Sequence, residues 1–116
     1  MILRTFISLH LIVCFLFIYP TQTFAAEVLQ VRSSSLLQIG DRNRTYTVKL
    51  ACLDVDPLNE KSVMRLLKAQ LRRKTRVNLR PEGINNGVLL ARVSLLENKI
   101  DIGQSIIDND LGRNSC

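Results

Sequence analysis

The sequence predicts an α+β fold, mainly β, in which five strands form a small barrel. One helix lies between the third and fourth strands, and a short helix ends the chain. Two observations lead to this prediction. Residues 28–53 and 75–96 carry the apolar alternation and β-branched content of strands, whereas residues 57–71 carry the 3.6-residue period of a helix. Glycine, proline, asparagine and aspartate separate these segments, as is typical of tight turns.

The N-terminal segment, residues 1–26, predicts a secretory signal peptide. The basic residue Arg4 precedes an apolar run, and the small residues Thr23 and Ala25 occupy the positions that a signal peptidase inspects. The alternative is an uncleaved membrane anchor formed by residues 5–19, although a bilayer span needs ~20 residues. With a cleaved signal, the remaining domain is exported to a periplasmic, lumenal or extracellular compartment.

The exported part, residues 27–116, is basic and poor in aromatic residues. It contains all 10 acidic residues and, because Arg4 lies in the signal, all but one of the 16 basic residues. Such a charge favours polyanions as partners, whether nucleic acid, anionic lipid or cell-wall polymer. Tyr46 is its only aromatic residue. The single histidine, His10, lies in the signal, which excludes a His-based triad in the domain.

The first three strands are predicted at residues 28–31, 36–39 and 45–53. Three serines form the first turn, and the sequence GDRNR has the glycine, aspartate and asparagine of a hairpin connection. The third segment is rich in threonine, tyrosine and valine, which favours a largely buried strand.

The central helix is predicted to begin after Asp56, which can cap it, with Pro57 at its first position. Its inward face is predicted to consist of five residues at helical spacing: Val63, Leu66, Leu67, Gln70 and Leu71.

Two more strands, at residues 75–80 and 88–96, are predicted to flank a loop of sequence PEGINNG at residues 81–87. A short helix at residues 100–111 would then end at Gly112. Five strands with a helix between the third and fourth is the order of an OB-type barrel, in which a small sheet closes on itself and the helix covers one open end.

Three stretches of the chain resemble the staphylococcal-nuclease (thermonuclease-like) family, whose fold is this barrel. YTVKLACLDVDP resembles the family pattern V-R-L-x-G-I-D-A-P-E, and LLKAQLRRKTRVNLRP resembles the end of its central helix and the following strand. NNGVLLARVSLLENKIDIGQSIIDNDLGR is similar to its G-R-x-L-A-x-V strand and the helix after it. The likeness covers essentially the whole exported part, but the last helix of the family has no counterpart here.

The resemblance implies hydrolysis of phosphodiesters with bound Ca²⁺, two metal-binding carboxylates, a catalytic glutamate and two phosphate-binding arginines. Asp54 matches one metal ligand, whereas Ser34 replaces the other. Lys49 replaces the first arginine and keeps its charge without the bidentate fork. Val88 replaces the second arginine.

The catalytic glutamate of the family also has no match in register, because Asp56 falls at the preceding proline and Pro57 at the glutamate itself. Glu60 is the only nearby candidate for a displaced base. Structural roles are therefore favoured, with Asp54 accepting backbone hydrogen bonds at a strand end and Asp56 capping the helix. Losing one transition-state donor can cost ~3 kcal/mol, so several losses should remove useful turnover.

The densest basic run comprises Arg72, Arg73, Lys74, Arg76 and Arg80. The first three are predicted to lie where the helix ends, and the other two on one strand face. This arrangement favours salt-sensitive, sequence-independent binding of a phosphate backbone. The alternative is that these cations complement the helix C-terminus and keep the protein soluble.

Cys52 and Cys116 form an even pair in an exported domain, which favours a disulfide. The alternative is a buried thiol at Cys52 and a frayed end at Cys116. The function expected overall is a polyanion-binding or structural module without efficient nuclease activity and without a cofactor. The alternatives are a Ca²⁺-dependent nuclease that uses Asp54 with altered partners, and a membrane-anchored subunit that binds another protein.

Overall fold

A computed structural model describes residues 26–116 and confirms the predicted α+β, mainly β, fold class. The predicted signal peptide lies outside the described residues, except for Ala26, which begins the first strand. The elements in chain order are β1 (Ala26–Val31), β2 (Leu36–Asp41), β3 (Arg44–Leu50), β4 (Leu53–Asp54), a 3₁₀ helix (Pro57–Asn59), α1 (Glu60–Gln70), β5 (Arg76–Asn85), β6 (Val88–Leu95), α2 (Ile102–Asp108) and β7 (Arg113–Asn114).

Five of the strands close into a barrel in the order β1-β2-β3-β6-β5. Neighbouring strands are antiparallel, except that β3 and β6 pair in parallel. The helix α1 lies in the connection between β3 and β5, the third and fourth barrel strands, as the sequence predicts. This order and the single parallel pair give an OB-like barrel without an open edge.

Two tight turns join the longer hairpins of the barrel. Arg42 and Asn43 link β2 to β3 with φ of 50° and 67°, and Asn86 and Gly87 link β5 to β6 with φ of 51° and 77°. Two successive residues with positive φ are typical of type I′ turns, whose twist matches that of the flanking strands.

The predicted loop at residues 81–87 is therefore wrong. Strand β5 continues to Asn85, and only two residues of this segment form the turn. The strand accommodates Pro81 because the register shifts between Pro81 and Gly83, as a bulge allows.

The third strand ends at Leu50, three residues earlier than predicted. Ala51 and Cys52 form a turn, and Cys52 has a φ of 61°. The chain then continues as β4, which pairs antiparallel with β7 near the C-terminus and forms a separate two-stranded sheet. This sheet holds the end of the chain against the barrel.

The core consists of aliphatic side chains from the barrel and both helices. Leu37, Ile39, Val48 and Val93 are fully buried. From α1, the core receives Val63 and Leu67, with Leu71 directly after the helix, whereas Leu66 and Gln70 are only half-buried. From α2, it receives Ile102 and Ile106.

The last helix is shorter than predicted. It begins at Ile102 because the side chain of Asp101 caps it by accepting a hydrogen bond of 3.0 Å from the backbone N–H of Gln104. It ends at Asp108 rather than at Gly112. Among residues 26–116, neither helix has the length and apolar character needed to cross a membrane.

Candidate functional site

Lys49, at the position of the first family arginine, lies exposed near the end of β3. It is opposite Leu36 on β2 and Leu90 on β6. Its buried neighbours Val48 and Leu50 point into the barrel, so the alternation of the strand directs Lys49 outward. One ammonium group is therefore available on this part of the outer surface.

Val88 begins β6 and is half-buried. It lies two residues before Leu90, which is the β6 residue opposite Lys49, so Val88 and Leu90 share the outer face of β6. Its own partner in the ladder is Asn85. An aliphatic side chain opposite an amide supplies no positive charge for a phosphate, as expected from the sequence.

Asp54, the single matching metal ligand, forms an ion pair with Arg113, whose Nη2 lies 3.5 Å from Asp54 Oδ2. The two residues are direct partners in the ladder between β4 and β7. Within residues 26–116, the Asp54 side chain accepts no hydrogen bond from a backbone N–H, so the expected contact at the strand end is replaced by this pair. Both side chains are largely exposed, so the pair stabilises the fold little. Arg113 already pairs with one oxygen of this carboxylate, so a cation bound there would compete with the guanidinium group.

The turn after β1 offers hydroxyl groups instead of a carboxylate. Ser33 Oγ accepts hydrogen bonds from the backbone N–H groups of Ser35 and Leu36, at 3.4 and 3.1 Å. The backbone oxygen of Ser35 accepts from the N–H of Leu50 at 2.9 Å, which places this turn beside the end of β3. Ser34 is half-buried in the same turn. A neutral hydroxyl is a weak ligand for Ca²⁺ compared with a carboxylate.

Asp56 caps the 3₁₀ helix. Its Oδ1 accepts a hydrogen bond from the backbone N–H of Leu58 at 3.2 Å, and Pro57 occupies the first helical turn. Asp56 thus caps the 3₁₀ helix that precedes α1, whereas the sequence predicted it at the start of the central helix itself, which begins at Glu60 after Asn59. Glu60 is the first residue of α1 and is exposed.

Cys52 and Cys116 form a disulfide with a Cα–Cα distance of 4.9 Å. The carboxylate of Glu82 lies beside it, with Oε2 at 3.7 Å from Cys52 Sγ. Arg92 contacts the same sulfur through Nη2 at 3.7 Å and donates a hydrogen bond from Nε to Glu82 Oε1 at 3.0 Å. The two cysteines and Glu82 are the only group of three potential ligands found within residues 26–116. Because both sulfurs are in the disulfide, neither is a thiolate, and one carboxylate remains.

Two backbone features match glycines in the family patterns. Cys52 stands at the glycine of V-R-L-x-G-I-D and has a φ of 61°, in the left-handed region that favours glycine. Gly87 stands at the glycine of G-R-x-L-A-x-V and has a φ of 77°. Later in that pattern, Ala91 and Val93 are fully buried. Both positions thus have the backbone conformation that favours glycine, one occupied by cysteine and the other by glycine.

The predicted binding residues form a continuous basic segment around the end of α1. Since α1 ends at Gln70, residues 72–74 lie in the connection to β5. Arg76 and Arg80 lie on the outer face of β5, where they alternate with residues that face the barrel. We call this set the basic segment: Arg72, Arg73, Lys74, Arg76 and Arg80. All five side chains are exposed. Within residues 26–116, none of them takes part in an ion pair at 4 Å or less or in a side-chain hydrogen bond.

A pocket of about 550 Å³ opens at the start of the basic segment. Arg72, Thr75 and Arg76 line one part of it, and its remaining lining comes from α1 and from the end of β6: Ala69, Gln70, Leu95, Leu96 and Glu97. The amide of Gln70 donates from Nε2 to Ser105 Oγ at 3.1 Å, while its Oε1 is buried and has no hydrogen-bond partner within residues 26–116.

Tyr46 lies elsewhere. It lines a second pocket of about 330 Å³ together with Asp41, Asn78, Leu79 and other residues. No lysine or arginine is among the described residues that line this second pocket. Tyr46 therefore lies outside the first pocket, although Asn78, which lies between Arg76 and Arg80 on β5, lines the same second pocket as Tyr46.

Sequence reasoning missed Arg113, Gln70 and Glu97 as parts of these sites. The ion pair of Arg113 depends on the pairing of β4 with β7, far apart in the chain. The signal for it was the cysteine pair, because a link between Cys52 and Cys116 brings the residues just before Cys116 close to Asp54. No local signal marks Glu97.

In comparisons with known proteins, no family model matches this chain, and no curated protein sequence matches it. The likeness to the staphylococcal-nuclease family therefore stays a prediction from the quoted motifs.

Proposed function

We propose that this protein is a nuclease-like barrel that binds nucleic acid through the basic segment and lacks efficient nuclease activity. The observation that carries the proposal is that the five cations of the basic segment are exposed and, within residues 26–116, free of ion pairs. Such cations can contact phosphates without first breaking an internal interaction.

The layout of the basic segment suits an extended backbone. It runs from the end of α1 through the following connection to the outer face of β5, where Arg76 and Arg80 are four residues apart on one face. At ~3.3 Å per residue, this separation is ~13 Å, about two nucleotides of an extended strand. On the next strand, Arg92 lies opposite Arg80 in the ladder, but its Nε is already bonded to Glu82 Oε1 at 3.0 Å.

Efficient hydrolysis by the route of the family finds little support in these side chains. The one matching carboxylate, Asp54, is engaged by Arg113, and the position of the second arginine is Val88. Lys49 can attract a phosphate but cannot form the bidentate contact of an arginine. Binding without turnover is therefore favoured over the Ca²⁺-dependent nuclease.

The salt dependence of binding tests this proposal. For single-stranded DNA, log K falls with log salt concentration by ~0.7 per phosphate contact, so five contacts predict a slope of about −3.5. Replacing Arg73 and Lys74 together with glutamine should reduce the slope by about 1.4. Fluorescence anisotropy with a labelled oligonucleotide at several salt concentrations measures both quantities.

A matched control uses two cations outside the basic segment. Lys61 and Arg65 are exposed on α1, so replacing both with glutamine gives the same change in net charge. The proposal requires the control to keep its slope within about half a unit. Equal effects of the two double variants would show that net charge alone attracts the DNA, and undetectable binding at low salt would refute the proposal outright.

A further inference from the structure

We infer that reduction of the disulfide between Cys52 and Cys116 creates a zinc site, in which the two thiolates and the carboxylate of Glu82 hold one Zn²⁺ ion. The three side chains already lie together, because their potential ligand atoms are all within 4.8 Å of one another. The inference is independent of the proposed function, because it uses none of the cations of the basic segment.

The disulfide is accessible to a reductant. Cys116 is exposed and Cys52 is half-buried, so a small dithiol can reach the bond. In the exchange, the two sulfurs of the dithiol bond to each other, while Cys52 and Cys116 take up two electrons and two protons and become thiols. Binding of Zn²⁺ then releases both protons, because the metal binds thiolates. Exchange with an oxidised dithiol would restore the bond and release the zinc.

Backbone contacts hold the two cysteines near each other independently of the bond. The N–H of Ser115 donates a hydrogen bond to the carbonyl oxygen of Cys52 at 3.0 Å. The N–H of Cys116 donates to Asn114 Oδ1 at 2.9 Å, and Asn114 belongs to β7, which pairs with β4. After reduction, the two sulfurs need to separate only to ~3.8 Å, which is the distance between two sulfurs that each lie ~2.3 Å from a tetrahedral metal ion.

A bulge in β5 directs Glu82 toward the sulfurs. The register of β5 against β6 shifts between Pro81 and Gly83, and Glu82 is the extra residue in this bulge. Its Oε2 lies 3.7 Å from Cys52 Sγ. A sulfur and a carboxylate oxygen that bind one tetrahedral zinc ion are ~3.5 Å apart. The carboxylate therefore needs little movement to become the third ligand.

Arg92 orients this carboxylate. Its Nε donates a hydrogen bond to Glu82 Oε1 at 3.0 Å, which leaves Oε2, the oxygen that contacts Cys52, for the metal. Hydrogen bonds of this kind fix the orientation of metal ligands. The charges also balance, because two thiolates and one carboxylate match the charge of Zn²⁺ together with one guanidinium group.

The ligand types favour zinc over calcium. Thiolates are soft ligands that suit Zn²⁺, whereas Ca²⁺ is bound by oxygen atoms. Three protein ligands leave the fourth tetrahedral position to water. The bound ion would hold the C-terminal segment against the barrel in the reduced protein, as the disulfide does in the oxidised protein.

Competition with a chromogenic zinc chelator tests the inference. We expect the protein reduced with a phosphine, which competes weakly for zinc, to bind one Zn²⁺ per chain, and the oxidised protein to bind none. Cys116→Ser should abolish this binding. Glu82→Gln should weaken it at least about tenfold, as for the loss of a group that positions or binds a metal. Glu60→Gln removes the same charge from an exposed position on α1 and should leave the affinity unchanged.

Two further measurements do not depend on the chelator. Co²⁺ bound to the reduced protein should give the thiolate-to-metal charge-transfer absorption of a cysteine-ligated tetrahedral site, which Cys116→Ser should lose. Zinc should also raise the urea midpoint of the reduced protein relative to EDTA, because a ligand that binds only the folded state stabilises it.

Three results would overturn the inference. Zinc binding by the reduced protein that is no tighter than by the variant with both cysteines replaced by serine would remove the site. A lower urea midpoint with zinc would show that the metal binds the unfolded chain. An affinity unchanged by Glu82→Gln would refute the ligand set. In each case the salt slope of nucleic-acid binding through the basic segment would stand as a separate result.

Discussion

The disulfide between Cys52 and Cys116 should supply much of the stability of this small barrel. The two residues are 64 apart in the chain, so the bond closes a long loop in the unfolded state. The loop-entropy relation gives a loss of ~14 cal/mol/K for this length, or about 4 kcal/mol at 25 °C. Replacing both cysteines with serine is the perturbation that removes it.

The expected loss of about 4 kcal/mol is large relative to the total free energy of unfolding. A domain of this size has a free energy of unfolding of roughly 5–13 kcal/mol, so the variant should retain between about a fifth and about two thirds of it. The local effect should be fraying of β7, because the hydrogen bond from the N–H of Ser115 to the oxygen of Cys52 and the ion pair of Arg113 lie next to the crosslink.

Urea unfolding followed by circular dichroism measures the difference in free energy of unfolding between the oxidised wild-type protein and the double variant. The slope m of the two transitions is compared as well. The reduced wild-type protein is the control, since it has the same side chains without the bond and should unfold near the double variant. A difference below 1 kcal/mol between the oxidised protein and the double variant would refute the entropic reasoning. The packing of the C-terminal segment, rather than the crosslink, would then hold β7 in place.

Three further predictions concern packing and residual catalysis. Gly112→Ala should destabilise the protein by about 1–3 kcal/mol in urea unfolding, because the new Cβ would lie 2.9 Å from Leu53 Cδ1 and 3.2 Å from the backbone oxygen of Asp54. Gly83→Ala, which meets nothing within 4 Å, should change stability little, and equal effects would contradict this reading of Gly112. Leu67→Ala should cost about 2–5 kcal/mol because the side chain is fully buried, and a smaller loss would mean that α1 is loosely docked. Asp54→Ala should leave the cleavage of plasmid DNA with Ca²⁺ at the background level of the wild-type protein, whereas robust cleavage abolished by this change would favour the nuclease alternative.

The order of the five barrel strands and the two α-helices was predictable because each of these elements has a local pattern, whereas the short strands β4 and β7 have none. Alternating apolar residues define the strands, and residues such as Val63 and Leu67 recur at helical spacing. The boundaries were less predictable. The sequence NNG favours a two-residue hairpin turn, whereas the nearby Pro81 and Gly83 favour a loop. In the structure, a bulge between Pro81 and Gly83 lets β5 continue through both residues to the turn.

The site was harder to predict than the fold, because its contacts join distant parts of the chain. Asp54 meets Arg113 only after the C-terminus has returned to the barrel, and Glu97 reaches the pocket at α1 through the turn after β6. Periodicity reports which face of an element is buried and carries no information on which charged residues of different elements become neighbours.

Burial explains how a barrel of this kind can change its chemistry while it keeps its shape. Ala91 and Val93 are fully buried in β6, so substitutions there would create cavities or clashes that cost several kcal/mol. Lys49 and Asp54 are exposed and Val88 is half-buried, and substitutions at such surface positions usually change stability by about 0.5 kcal/mol or less. The positions that the resemblance assigns to phosphate chemistry are thus among those that the fold constrains least, and the same freedom applies to the exposed cations of the basic segment.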